Sequence, residues 1–294
     1  MISIIEKIRL RSKSDYRDID TGRKRLESAA GLVPNLHFST RFSVTKVNEC
    51  LAEWITPPLS SDNVILYLHG GAYVQGSHRT HRSMVTYLCN KGHFKALVLN
   101  YRLAPEHPHP AALEDAIAAY NYLLGEGYAP YKIAIAGDSA GGGLALALLM
   151  YLRDHQHPLP AAAVLFCPWT DLKMTGESVS ANAKYDPLLS KEALSYMAGM
   201  YSNGQDLEHP YISPLYGEPG GLPPVLIQVA AKDPVLDDGI RVHERIHAAA
   251  GNAQLVNFQG MFHVWQAFWI FIPQGRTALS QAATFLNEHF HARI

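Results

Sequence analysis

Ser139 stands in Gly137-Asp138-Ser139-Ala140-Gly141, after the run Lys132-Ile-Ala-Ile-Ala136 and before the helix-like stretch Gly142–Leu152. A strand, a sharp turn and a helix in that order hold a serine in a strained backbone conformation with its hydroxyl presented at a helix N-terminus, where the dipole favours developing negative charge. Bulk at positions 137 or 141 would keep the strand and helix apart, which explains the two glycines. The chemistry such a residue can do is nucleophilic attack. A serine hydroxyl is a poor nucleophile at neutral pH, so it needs a base, and the base needs a carboxylate to orient it.

Two later residues answer that need. Asp233 follows the apolar run Val225–Val229 after a short turn, and His263 follows Leu255–Phe258 among Met261, Phe262, Val264 and Trp265. Each therefore falls at the carboxyl end of an expected strand, where open α/β sheets gather their reactive groups. The chain holds fifteen histidines, and location alone singles out His263. Asp237 and Asp238 compete with Asp233, but both lie where a helix begins and are expected to cap it or meet its dipole.

A charged intermediate needs donors as well. His69-Gly70-Gly71-Ala72-Tyr73 comes directly after the expected strand Val64–Leu68. Small residues there let the backbone N–H groups of Gly70 and Gly71, with that of Ala140, point at a substrate oxygen and form an oxyanion hole. Ala72 is not expected to supply a donor, and His69 is expected to brace the loop. A competing pattern is His243-Glu244-Arg-Ile-His247, which has the HExxH spacing of zinc proteases. It lies on the helix expected after Asp233, with its histidines on the outer, solvent side, so a metal is not expected.

The elements that must position these groups follow from the apolar pattern. Continuous short runs at Val64–Leu68, Ala96–Leu99, Ile133–Ala136, Ala162–Phe166 and Val225–Val229, followed by Leu255–Phe258, predict strands buried on both faces. Helix-length stretches such as Ala111–Leu124, Leu144–Leu152 and Gly239–Ala250 separate most of them, the rhythm of a parallel sheet flanked by helices. Phe42–Cys50 alternates, and Leu51–Thr56 is placed to pair with it as an antiparallel edge at the N-terminal side. Residues 1 to 30 carry Ile4, Ile5, Ile8 and Leu10 in a helical pattern. The interval from Phe166 to Val225 is too long for a structureless loop, and Lys191–Tyr201 predicts a helix within it. The expected architecture is α/β: one domain over residues 1–294, with a helical cap made from about 1–40 and about 172–215.

Composition narrows the partners. With 25 Lys and Arg against 26 Asp and Glu and no basic run, nucleic acid is not expected to bind. Cys50, Cys89 and Cys167 are odd in number and widely spaced, as reduced thiols of a cytoplasmic protein would be. Glu6, Lys7 and Arg9 interrupt the first apolar residues, and no apolar stretch approaches the length of a membrane span, so neither secretion nor spanning is expected.

Taken together, these residues resemble the hormone-sensitive-lipase-like branch of the α/β-hydrolases, a group of microbial carboxylesterases and their relatives. Besides the two glycine motifs, the resemblance rests on Asn100-Tyr-Arg-Leu-Ala-Pro-Glu-His-Pro-His-Pro-Ala-Ala112, Cys167-Pro-Trp-Thr-Asp171, Ser213-Pro214 and Lys232-Asp233-Pro-Val-Leu-Asp237. It departs from the branch at Ala72, in place of a further glycine, at Asn100, in place of a common aspartate, and at Val264-Trp265 after the base. The resemblance implies the α/β-hydrolase fold, a cap, Asp233 as the acid of a Ser139–His263–Asp233 triad, short-acyl ester substrates and no cofactor. By analogy with the fold, an exposed sheet edge admits a homodimer. Tyr73, Asp138, Leu188, Met197 and Trp265 are the expected pocket residues, and Tyr185, Leu189, Tyr196, Met200 and Tyr201 could add an apolar wall or simply pack the cap. Lactones and acetylated small molecules yield to the same chemistry. A protein of this fold that only binds would have no physical need for nucleophile, base, acid and oxyanion loop together.

Overall fold

The computed structural model describes residues 16–31, 39–186 and 189–290. Eight strands form one sheet in the order β1-β2-β4-β3-β5-β6-β7-β8. They are β1 (Arg41–Val47), β2 (Cys50–Thr56), β3 (Val64–Leu68), β4 (Lys95–Leu99), β5 (Ile133–Asp138), β6 (Ala163–Phe166), β7 (Val225–Ala230) and β8 (Ala253–Phe258). β1 and β2 form an antiparallel hairpin that joins β4 antiparallel, and every other pairing is parallel. The first strand ends at Val47, short of the expected Cys50, because Asn48 takes a left-handed φ of 49° and Cys50 opens the return strand.

The period of two along each strand divides the core. Val64, Leu66 and Leu68 of β3 join Leu97, Leu99, Ile133 and Ile135 on one face. That face is covered by α3 (Ala111–Gly125), α4 (Ala140–Asp154) and α7 (Leu236–Ala248). Ile65 and Tyr67 join Ala96, Val98, Ala134 and Ala136 on the other, under α2 (His78–Gly92) and α8 (Pro273–His289). β3 to β7 are buried on both faces, as their continuous apolar runs predict. β8 is not: it is half-buried with exposed Gln254 and Asn257, because only β7 lies beside it and its outer edge is open.

Two segments lie across the carboxyl ends of the parallel strands. One is α1 (Ile19–Gly31), whose Arg23 donates to the carbonyls of Val74 and Ala104 and pairs with Glu106 at 2.7 Å. The apolar residues Ile4, Ile5, Ile8 and Leu10 lie outside the described residues. The other is the interval between β6 and β7, which holds α5 (Ser178–Ala181) and α6 (Lys191–Ser202), the latter one residue longer than expected. Ser190 caps α6 by accepting from the Ala193 N–H. Among the described residues no helix is long and apolar enough to cross a membrane.

Candidate active site

The bend between β5 and α4 places Ser139 at φ 53° and ψ −123°, a conformation that costs an L-residue about 1–3 kcal/mol and persists only where surroundings enforce it. Those surroundings are backbone. The Ser139 N–H donates to the Phe166 carbonyl at 2.9 Å, and the Ser139 carbonyl accepts from Trp169 N–H and Gly143 N–H. A Cβ on Gly141 would come within 2.0 Å of the Leu68 carbonyl oxygen, and one on Gly137 within 2.3 Å of the Gly141 oxygen. No side chain fits at either position, as the sequence pattern predicts.

Ser139 Oγ lies 2.8 Å from His263 Nε2, and His263 Nδ1 lies 2.8 Å from Asp233 Oδ2. All three side chains are buried. Asp233 Oδ1 accepts from the Val235 N–H at 2.9 Å, which fixes the carboxylate, and the carbonyl of Asp233 accepts from the Asn182 amide. Burial opposes the charged form of His263, but the carboxylates of Asp233, Asp186 and Asp138 outweigh it and raise its pKa above the ordinary value. The arrangement can therefore take a proton from Ser139 and hold it as imidazolium.

Beyond this geometry, residues 65–267 match the model of a family described by its alpha/beta hydrolase fold. A crystal structure of an esterase from the bacterial hormone-sensitive lipase family superposes with a TM-score of 0.95 at 42% identity, covering 98% of this chain and 97% of that one. An acetyl-hydrolase of Streptomyces hygroscopicus is 43% identical over 83% of this chain and 82% of its own length. An esterase of Acinetobacter venetianus is 37% identical over 79% and 77%. The chain belongs to the bacterial hormone-sensitive-lipase branch of the α/β-hydrolases.

In this α/β-hydrolase the glycine loop after β3 departs from expectation. The Gly70 N–H donates to Asp138 Oδ1 at 3.1 Å, so it is engaged behind the loop and is not free for a substrate oxygen. The N–H groups of Gly71 and Ala72 have no hydrogen-bond partner among the described residues, and Ala72 sits at φ 53° in a left-handed turn. Ala140 opens α4, where a first-turn N–H has no partner within the helix. The donor set left open is Gly71, Ala72 and Ala140, which corrects both the inclusion of Gly70 and the exclusion of Ala72. Spacing could not reveal this, since it turns on where Asp138 points. His69 braces the loop: it stacks on Tyr101 with ring centroids 4.3 Å apart, and Tyr101 donates to its carbonyl. Burial, with His81 nearby, drops the His69 pKa to about 3 and keeps it neutral.

Of the expected pocket residues, Asp138 turns away into a buried network. It accepts from Tyr67 OH at 2.8 Å and pairs with His81 Nε2 at 3.2 Å. Burial works against its charge, but His81 dominates and lowers its pKa. Trp265 is fully buried below the loop at His263, against Phe258 at 4.7 Å, and forms no pocket wall. The left-handed Val264 turns the chain there and sends the indole inward. Tyr73 is also buried, stacked face to face at 3.7 Å on Tyr201 of α6, while Met197 is half-buried on the same helix. Leu188 lies outside the described residues. Asp237 and Asp238 occupy the first turn of α7 but serve other segments: Asp237 accepts from the Ser178 N–H, and Asp238 from the N–H groups of Thr170 and Asp171.

His243 and His247 lie parallel with centroids 6.2 Å apart, the first half-buried and the second exposed, as expected for the outer face of α7. Among the described residues, the only three potential metal ligands grouped within 4.8 Å are Cys167, Asp233 and His263. Burial first, then Asp233, pushes the Cys167 thiol well above its ordinary pKa. A metal needs the thiolate, and the carboxylate and imidazole already bond to each other, so the group reads as a hydrogen-bonded cluster. The motif that begins at Cys167 gave no sign of its place beside Asp233 and His263: it stands at φ 44°, and its sulfur accepts from the Val264 N–H at 3.4 Å.

Proposed function

We propose that this protein is a serine carboxylesterase acting on short-acyl esters through an acyl-enzyme. The observation that carries the reading is the unbroken line from Ser139 Oγ to His263 to Asp233, with 2.8 Å at each contact. Ser139 Oγ attacks the ester carbonyl carbon while His263 Nε2 takes its proton, and Asp233 holds the tautomer and stabilises the imidazolium. The oxyanion is received by the N–H groups of Gly71, Ala72 and Ala140, each worth on the order of 100-fold in rate. His263 then gives its proton to the departing alcohol, and water, activated by the same imidazole, releases the acid from Ser139.

In this reading α1 and the interval between β6 and β7 form the cap, because both meet loops at the carboxyl ends of the strands. The acetyl-hydrolase name of one relative supports a small acyl group, with acetylated small molecules as substrates of the same kind. The test is a series of aryl esters from acetate to long acyl chains, assayed on wild type and Ser139→Ala. Turnover that peaks at short chains and vanishes in the variant supports the reading, and near-native turnover by Ser139→Ala overturns it.

A further inference from the structure

His263 is held by its ring and by its backbone, and the two attachments come from different parts of the molecule. The ring is held by Asp233. The backbone N–H donates at 2.8 Å to Oδ2 of Asp186, in the interval between β6 and β7. Asp186 is buried, and its other oxygen accepts from the Leu189 N–H at 3.0 Å, so both oxygens act as acceptors, as an ionised carboxylate would. It lies four residues beyond Asn182, whose amide ties the same interval to the carbonyls of Ala231 and Asp233.

We propose that Asp186 is a positioning residue for the base: its carboxylate pins the His263 backbone and adds a second negative charge beside the ring that must become imidazolium. This rests on His263 being the base for Ser139. The need for such a tie follows from the loop itself. β8 is an open edge strand, and the loop after it carries Gly260 and Val264 at left-handed φ of 75° and 48°. An ångström of drift in a catalytic group costs on the order of 100-fold in rate. The groups that face His263 are Asp233 after β7, Cys167 after β6, Ser139 at the bend, and Asp186, while Asp138, turned toward His81, acts on it only through its charge. The nearby cations of Lys184 and Lys232 lie over the Tyr185 ring, at 4.8 and 5.9 Å. The negative charges around the ring raise the His263 pKa, and Asp186 is among them. The same interval reaches the oxyanion loop through Tyr201 on Tyr73, so one piece of chain touches both halves of the machinery.

The experiment measures pH profiles of kcat and kcat/KM on a short aryl ester for wild type, Asp186→Asn, Glu192→Gln and Ser139→Ala. Asparagine keeps the shape, loses the charge and can accept only one of the two N–H groups. The expected result for Asp186→Asn is a kcat about tenfold lower with KM within about twofold, and an acid limb of kcat/KM moved to lower pH by about half a unit or more. Glu192→Gln, a charge removed from the exposed start of α6, changes neither. If Asp186→Asn does not fold, Asp186→Ser removes the charge with a smaller side chain and is read the same way. An acid limb that stays in place when the charge is gone overturns the proposal, whatever happens to kcat. Turnover surviving in Ser139→Ala would instead overturn the reading beneath it.

Discussion

The bend at Ser139 and the loop at His263 meet across 2.8 Å but are built by opposite means. The bend is held by close backbone approach between β3, β5 and α4, where Gly137 and Gly141 leave no room for a methyl group. Every residue of α4 from Ala140 to Met150 is buried, so Ser139 sits on a tightly packed centre. The loop at His263 follows a half-exposed edge strand, and side chains from distant segments hold it: Asp233, Asp186 and Cys167. Steric exclusion can be encoded in five consecutive residues. Tethering by hydrogen bonds needs partners scattered along the chain.

The comparison can be broken at either end. Ser139→Ala should lower kcat by about 10⁴-fold or more with an unchanged circular dichroism spectrum, since the bend does not depend on the hydroxyl. Asp233→Asn should lower kcat by about 10³-fold or more through the wrong imidazole tautomer, while Tm moves little. Gly141→Ala should differ in kind: the bend must open to admit the methyl group, so activity falls by about 100-fold and Tm falls with it. An alanine variant of wild-type stability would show that the bend is not held by exclusion. In the native enzyme, kcat/KM should fall about tenfold per pH unit below a midpoint above the ordinary histidine value of about 6.5. The sign follows because the carboxylates favour the protonated ring, which cannot accept from Ser139. The smallest effect should come from the outer face of α7: His247→Ala and an excess of chelator should each leave activity within about twofold, whereas loss under both would restore the zinc reading.

The same contrast explains what could be read before any coordinates. The parallel strands, the antiparallel edge and the bend were legible because each rests on a local pattern: a continuous apolar run, an alternating run, a helix-length spacer, two glycines about a serine. That Asp233 and His263 come together beside Ser139 was legible from their places after strands. Gly70 was misread because its N–H is taken by Asp138, a contact across 68 positions, and Trp265 because a left-handed Val264 turns it inward. Asp186, 77 positions from the amide it holds, carries no local signature at all. Edge exposure of β8 likewise depends on where the sheet stops, and an apolar run does not record that.

The clearance at Gly141 has a bearing on how such an enzyme can diversify. A centre that cannot admit one carbon atom at Gly141 gives inheritance nothing to vary at that position, so under the proposed function retuning toward a bulkier or more polar ester falls to the segments across the strand ends. Under the proposed function, selection on substrate is thereby steered toward the stretch that carries Asp186 and Tyr201, where a change also tugs on His263 and on Tyr73 of the glycine loop.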